Sequence, residues 1–334
     1  MDEVRASSPS LHLPIRPRRN RATAAIRALV RETRLSPSDL ILPLFVTEGK
    51  KTRKPIASMP GTFRLSPDLI VKHAQAASQR GISAVALFPA LDLKRKDRFA
   101  SESINPNGLL QRTIKALKDA LPDLLVITDV AMDPYSSDGH DGLVERGTIL
   151  NDPTLPILAA MAVSQAEAGA DLVAPSDMMD GRVGAIRSAL DAAGYSQTGI
   201  LAYTAKYCSS FYGPFRDALD SAPRGGDKKT YQMDPANRRE ALREARLDAV
   251  EGADILMVKP ALPYLDIISD LRAHIDLPIA AYQVSGEYAM IKAAAEKGWI
   301  SESAAVLESL TAIKRAGANI ILTYFAYTAA EFMA

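Results

Sequence analysis

The sequence predicts an α/β protein: a closed (β/α)8 TIM barrel preceded by an extended N-terminal arm. Three observations predict it. A helix-to-strand junction recurs along the chain, eight apolar runs lie between helical stretches, and no Gly-rich GxGxxG turn is present. An open doubly wound sheet would more often carry such a turn. Eight β/α units in one chain instead point to closure.

The junctions come first. Ala168-Gly169-Ala170-Asp171, Glu251-Gly252-Ala253-Asp254 and Ala316-Gly317-Ala318-Asn319 each close a helical pattern and lead at once into an apolar run. Arg80-Gly81-Ile82-Ser83 is a looser version. Glycine after a helix accepts the left-handed conformation that other residues resist, so these are helix-to-strand turns. The runs that follow or precede them are Leu40–Val46, Ala84–Phe88, Leu124–Asp129, Leu172–Ser176, Ile200–Lys206, Ile255–Lys259, Ile279–Ser285 and Ile320–Tyr324. They barely alternate, as expected of parallel strands covered on both faces. Ser66-Pro67-Asp68 and Asp152-Pro153 place proline just inside a helix's first turn.

Residues 1–35 read as an arm and 36–334 as the barrel. Arg16, Arg18, Arg19, Arg21, Arg27, Arg31 and Arg34 crowd the arm with Pro14 and Pro17. Such a segment either stays solvated or wraps a neighbouring subunit. It fits a transit peptide poorly, because Asp2 and Glu3 open it. Charge is nearly balanced, 40 basic against 39 acidic residues, which gives no electrostatic case for nucleic acid. No apolar run approaches the roughly 18 residues that span a bilayer. The lone Cys208 excludes an internal disulfide and a thiolate zinc site. Together these predict a reducing, cytoplasmic setting.

Two connections, 131–151 and 207–235, far exceed ordinary barrel turns. Both follow strand C-terminal ends, where barrel active sites sit, and there long loops act as lids or ligand clamps. The stretch Arg224-Gly225-Gly226-Asp227-Lys228-Lys229 could instead be a mobile insertion.

The strand ends supply the chemistry. Asp129, Ser176 with Asp177, Lys206, Lys259, Tyr282 with Ser285, and Tyr324 close strands three to eight in turn. Lys259 ends Ile255-Leu256-Met257-Val258, where burial disfavours an ammonium. Lys206 on the adjacent strand adds like-charge repulsion. The pair is therefore expected to offer neutral amines able to attack a ketone. The structural alternative is that each lysine pairs with a rim carboxylate such as Asp129 or Asp177. Arg216, in Phe211-Tyr212-Gly213-Pro214-Phe215-Arg216, and Lys228 are candidate partners for a substrate carboxylate; for Lys228 a solvated loop charge is the stronger alternative.

The loop opening at Asp129 also holds Asp133, Asp138, His140 and Asp141. Carboxylates at this density suggest a hard cation, magnesium rather than zinc. Aspartates also favour turns for local reasons, and His140 could be a proton donor or a hydrogen-bonded loop residue. His12, His73 and His274 lie on the arm or on helical stretches and read as structural.

Five segments carry a resemblance: Asp129 through Gly142; Ala174-Pro175-Ser176-Asp177-Met178-Met179-Asp180-Gly181-Arg182; Tyr203 through Arg216; Met257-Val258-Lys259-Pro260; and Tyr282-Gln283-Val284-Ser285-Gly286-Glu287. They resemble the porphobilinogen synthase (δ-aminolevulinic acid dehydratase) family, from about Pro14 to the C-terminus. The resemblance implies a hydro-lyase that condenses two molecules of 5-aminolevulinate into porphobilinogen, with loss of two waters, in tetrapyrrole (haem and chlorophyll) synthesis. It implies that Lys259 forms the Schiff base with the propionate-side substrate and Lys206 with the acetate-side one. Ser285 and Tyr324 then fall where the first carboxylate binds, with Tyr282 beside them. Arg216, Lys228 and Gln232 fall where the second binds, and Asp129 and Ser176 line the amino-group pocket. A homo-octamer held by the arm is implied as well.

Zinc-dependent members carry cysteines at the positions of Ala131, Asp133 and Asp141. Their absence points to a magnesium-responsive or metal-independent, bacterial-type branch without zinc. Alanine ligates nothing, which leaves Asp133 and Asp141 as the residues at the active-site metal position. Glu244 matches the residue that holds an allosteric magnesium, and Leu247 stands where members lacking that ion can carry arginine. Potassium is compatible with the resemblance as a further ion. Two other readings compete: an aldolase-type barrel with one Schiff-base lysine, and a non-catalytic binding barrel. Paired lysines weigh against the first, and a complete rim set against the second.

Overall fold

The computed structural model describes residues 13–219 and 223–333. His12 lies outside the described residues. The chain divides after Arg34, one residue before the expected boundary, into an arm and a barrel. Within the arm, a 3-10 turn at Pro17–Arg21 and a helix at Ala24–Leu29 bury none of their residues. Thr23 caps the helix by accepting the Ile26 N–H at 3.2 Å.

The barrel strands are β1 (Leu40–Val46), β2 (Ala84–Pro89), β3 (Leu125–Val130), β4 (Leu172–Pro175), β5 (Gly199–Lys206), β6 (Ile255–Lys259), β7 (Ile279–Gln283) and β8 (Ile320–Thr323). Each pairs in parallel with the next, and Leu40 and Ile41 of β1 pair with Ile321 and Leu322 of β8 to close the ring. The eight predicted runs and the observed strands coincide to within a residue or two at most ends. The junction glycines take the left-handed conformation as expected, with φ of +105° at Gly169, +104° at Gly252 and +123° at Gly317.

The acid or amide that follows each of these glycines has its own task. The Asp171 side chain, just ahead of β4, accepts the Val126 N–H of β3 at 2.7 Å. Asp254, ahead of β6, accepts the Ile200 N–H of β5 at 2.7 Å, and Asn319, ahead of β8, accepts the Ile279 N–H of β7 at 3.1 Å. Their own N–H groups donate back to the carbonyls of Val126, Ile200 and Ile279. The motif thus stitches strands in pairs at the bottom of the barrel and leaves the top free for chemistry.

Three additions decorate that top. A strand at Phe63–Leu65 pairs in parallel with Phe45 and Val46, prolonging the sheet beyond β8, and in antiparallel fashion with Arg53–Pro55. The connection after β3 folds into a hairpin, Leu143–Glu145 with Thr148–Leu150. The connection after β5 carries a helix at Gly213–Leu219. Both long connections are therefore structured in their described parts.

One irregularity matters. Ala202 pairs with Leu256, yet the next pair is Ala205 with Val258, so β5 carries one extra residue. Such a bulge re-aims the side chains after it. Among the described residues no helix is long and apolar enough to cross a membrane.

Candidate active site

Lys259 and Lys206 end β6 and β5 and are direct partners in the register. Strict alternation would turn residues three apart, Tyr203 and Lys206, to opposite faces. The bulge between them lets both face Lys259. Each lysine is buried, 5% and 6% exposed.

Their surroundings differ. The Lys259 ammonium lies over four rings, 5.2 Å from the centroid of Tyr203, 5.1 Å from Tyr212, 4.9 Å from Phe215 and 4.6 Å from Tyr282. It makes no ion pair with a described residue. Burial, then repulsion from Lys206, pushes its pKa down to about 7 against the pull of Asp129, Asp133 and Asp141. Lys206 instead pairs with Asp141 Oδ2 at 3.3 Å and donates to the Ser176 carbonyl. On this side the alternative reading, a lysine paired with a rim carboxylate, is the one observed. The partner is Asp141, which the lid loop folds inward, rather than Asp129 or Asp177.

Lys228 joins the same network, 2.9 Å from Asp141 Oδ1 and 3.2 Å from Asp133 Oδ2. It is buried rather than solvated. Burial pushes Asp141 up, but the Lys206 and Lys228 ammoniums outweigh it and hold the carboxyl well below the usual range. Asp133 is raised, burial prevailing over Lys228. Both carboxylates are thus engaged by ammonium groups. Among the described residues no three His, Cys, Asp or Glu side chains converge to hold a metal.

Asp129 stands at the meeting of the two halves. Gln165 fixes its backbone by donating to its carbonyl at 2.9 Å, and Thr128 holds that amide at 2.7 Å. Burial, then Asp133, pushes the Asp129 pKa up to about 7 against Lys206, the Ser176 hydroxyl and Lys259. Lys259 and Asp129 both titrate near neutrality, as proton-moving groups should.

The candidate anion partners fall in two places. Near Lys259, the Tyr282 and Tyr324 hydroxyls bond at 2.7 Å. Ser285 begins the helix Ser285–Glu296 rather than ending β7, and its hydroxyl accepts the Phe215 N–H at 3.0 Å. A helix N-terminus favours an anion. On the connection after β5, Arg216 is half-buried and its side chain makes no hydrogen bond or ion pair with a described residue. Gln232 is buried, and its Oε1 lacks a partner among the described residues.

His140 is a loop fastener. Its Nε2 donates to the Gly225 carbonyl at 2.8 Å and its Nδ1 lies 3.2 Å from the Tyr231 hydroxyl, joining the two long connections. Glu244, half-buried on the helix Arg239–Val250, opens onto a cavity of about 980 Å³ that Asp138, Asp180, Asp227 and Glu240 also line. Burial raises its pKa, offset by Arg182. His73 is exposed and stacks on Tyr327 at 5.5 Å, a packing role.

Sequence reasoning does not find the ring cage. Tyr203, Tyr212 and Phe215 stand in a quoted segment, but only the tertiary path of the loop brings them to Lys259. It also passes over Glu287, a fully buried carboxyl that accepts the N–H groups of Val284 and Leu262, each at 2.6 Å. Burial raises it to about 7 against those bonds. The signal was its place three residues into a helix.

The profile of the delta-aminolevulinic acid dehydratase family matches residues 14–332. A chloroplastic delta-aminolevulinic acid dehydratase from Physcomitrium patens is 59% identical over 98% of this chain and 76% of its own length. The chloroplastic enzyme of Chlamydomonas reinhardtii is 55% identical over 96% of this chain and 85% of its own. A solved delta-aminolevulinic acid dehydratase (porphobilinogen synthase) from Toxoplasma gondii ME49, in complex with the reaction product porphobilinogen, superposes with a TM-score of 0.95 at 57% identity. That match covers 96% of this chain and 92% of the other.

These relatives overturn the cytoplasmic expectation, because the plant and algal enzymes are chloroplastic by name. Balanced charge and a lone cysteine speak for a reducing compartment but do not say which one. The bacterial-type branch finds no support in them either.

Proposed function

The chain belongs to the delta-aminolevulinic acid dehydratase family, and we propose that it performs the family's condensation through Schiff bases on Lys259 and Lys206. The enzyme joins two molecules of 5-aminolevulinate into porphobilinogen with release of two waters. Each lysine amine condenses with one keto group and expels one water. The new C–C and C–N bonds then return both amines. Lys259 takes the propionate-side molecule, with Ser285, Tyr324 and Tyr282 at its carboxylate. Lys206 takes the acetate-side molecule, with Arg216, Lys228 and Gln232 at the other carboxylate. Asp129 and Ser176 receive an amino group, and Asp129 moves protons.

The supporting observation is the Lys259 amine. It is buried, unpaired among the described residues, depressed to about 7 and opposite Lys206 in the register. Lys206 is paired with Asp141 at 3.3 Å, a contact that must be given up before its amine attacks. Borohydride trapping with 5-aminolevulinate and peptide mapping tests the reading. Label is expected on Lys259 and on Lys206. Label on Lys259 alone would favour a one-lysine aldolase-type scheme, and label on neither removes the proposal.

Magnesium is proposed at Glu244. The facing carboxylates of Asp180 and Glu240 make the cavity anionic. With few converging ligands, the ion would keep most of its waters. It would supply charge neutralisation there, remote from the reaction. No zinc is expected at Asp133 and Asp141, where Lys228 supplies the positive charge, and potassium is left as a further ion to assay. The arm, with Leu29 and Ile15 exposed, is proposed to wrap a second copy in a homo-octamer. Glu244→Ala should weaken magnesium stimulation after chelation and shift light scattering to smaller assemblies. Unchanged behaviour rejects the site.

A further inference from the structure

We propose that Arg64 and Lys96 are positioning residues that clamp the helix Gly213–Leu219, and with it Phe215 and Arg216, over the barrel mouth. Arg64 donates from Nε to the Ala218 carbonyl and from Nη2 to the Asp217 carbonyl, both at 2.6 Å. Lys96, buried, donates to the Leu219 carbonyl at 3.4 Å. Ser58 adds a bond to the Asp217 carboxylate at 2.7 Å. The last carbonyls of a helix have no partner within it, and cations are favoured at that end. Here two cations from the β1 and β2 connections occupy that end.

The clamp has a firm base. Arg64 sits on the strand Phe63–Leu65, which is zipped to the end of β1. At its other end the helix is held by the Phe215 N–H donating to Ser285 Oγ. The helix is therefore gripped from two sides of the mouth. In between, Phe215 covers the Lys259 amine and packs edge-on against Phe88 with ring centroids 5.3 Å apart.

The proposal rests on the assignment of Phe215 and Arg216 to the substrate site. If the helix must be closed for substrate to bind, loosening the clamp lowers the closed fraction and weakens apparent affinity by that factor. Chemistry in the closed complex is unaltered. Arg64→Ala should then raise the KM for 5-aminolevulinate about ten-fold with kcat within about two-fold. Arg64→Lys, which restores the charge, should fall between. Lys96→Met and Ser58→Ala should shift KM the same way, and they carry the test if Arg64→Ala does not fold.

Arg216→Ala is the control. If it leaves KM unchanged, the substrate assignment fails and the proposal falls with it. If it raises KM while the Arg64, Lys96 and Ser58 variants do not, the clamp alone is overturned. A fall in kcat together with melting temperature, at constant KM, marks a merely structural role and also overturns it.

Discussion

The two lysines end adjacent strands, and the two halves of the barrel mouth around them are built on opposite principles. Around Lys259 the walls are aromatic, and burial, then repulsion from Lys206, lowers the pKa further than Asp129, Asp133 and Asp141 raise it. Around Lys206 the walls are ionic, with Asp141 and Lys228 interlocked, and buried charges are kept by mutual pairing. One half makes an amine ready to react at rest. The other holds its amine in place through the ion pair with Asp141. Two chemically identical side chains are thereby made different, which an asymmetric condensation of two identical substrates requires.

The contrast can be broken or sharpened by experiment. Lys259→Ala should lower porphobilinogen formation by on the order of a thousand-fold or more with circular dichroism unchanged, since it removes the proposed nucleophile but no ion pair. Retained turnover would end the assignment. Asp141→Asn should act through stability. It leaves two buried ammoniums underpaired, and denaturant unfolding should show a loss of about 3–5 kcal/mol. A neutral effect would mean that solvent reaches the network.

Acidity separates the halves further. A lowered lysine pKa means that the reactive, neutral fraction grows with pH until the folded value is passed. Borohydride labelling of Lys259 should climb about five-fold from about pH 6 to about pH 7, nearly double again by about pH 8 and then level, given its value of about 7. A flat profile would place the amine outside its ring cage. The smallest effect is expected from Tyr282→Phe, which removes the bond to Tyr324 at 2.7 Å. About 1 kcal/mol of stability should go, read by denaturant unfolding, with a few-fold rise in KM.

Much of this was legible in the chain. Glycine junctions announced the strands because a left-handed turn has few other occupants, and Lys259 was legible because a charged strand end in a barrel demands a reason. What escaped were relations between distant segments. Nothing local says that Asp141 rather than Asp129 reaches Lys206, that Phe215 folds over Lys259, or that Ser285 opens a helix. Nor does the junction motif disclose that Asp171, Asp254 and Asn319 serve the preceding strand. The compartment was misread because composition responds to redox state and not to address.

The additional residue in β5 has a consequence for how such a site could arise. Along a regular strand, a lysine one step from the correct parity points into the helical layer, and no substitution of neighbours recovers it. Insertion of a single codon does. The difference between a barrel presenting one amine and a barrel presenting two facing amines can thus be a matter of strand length rather than of residue type.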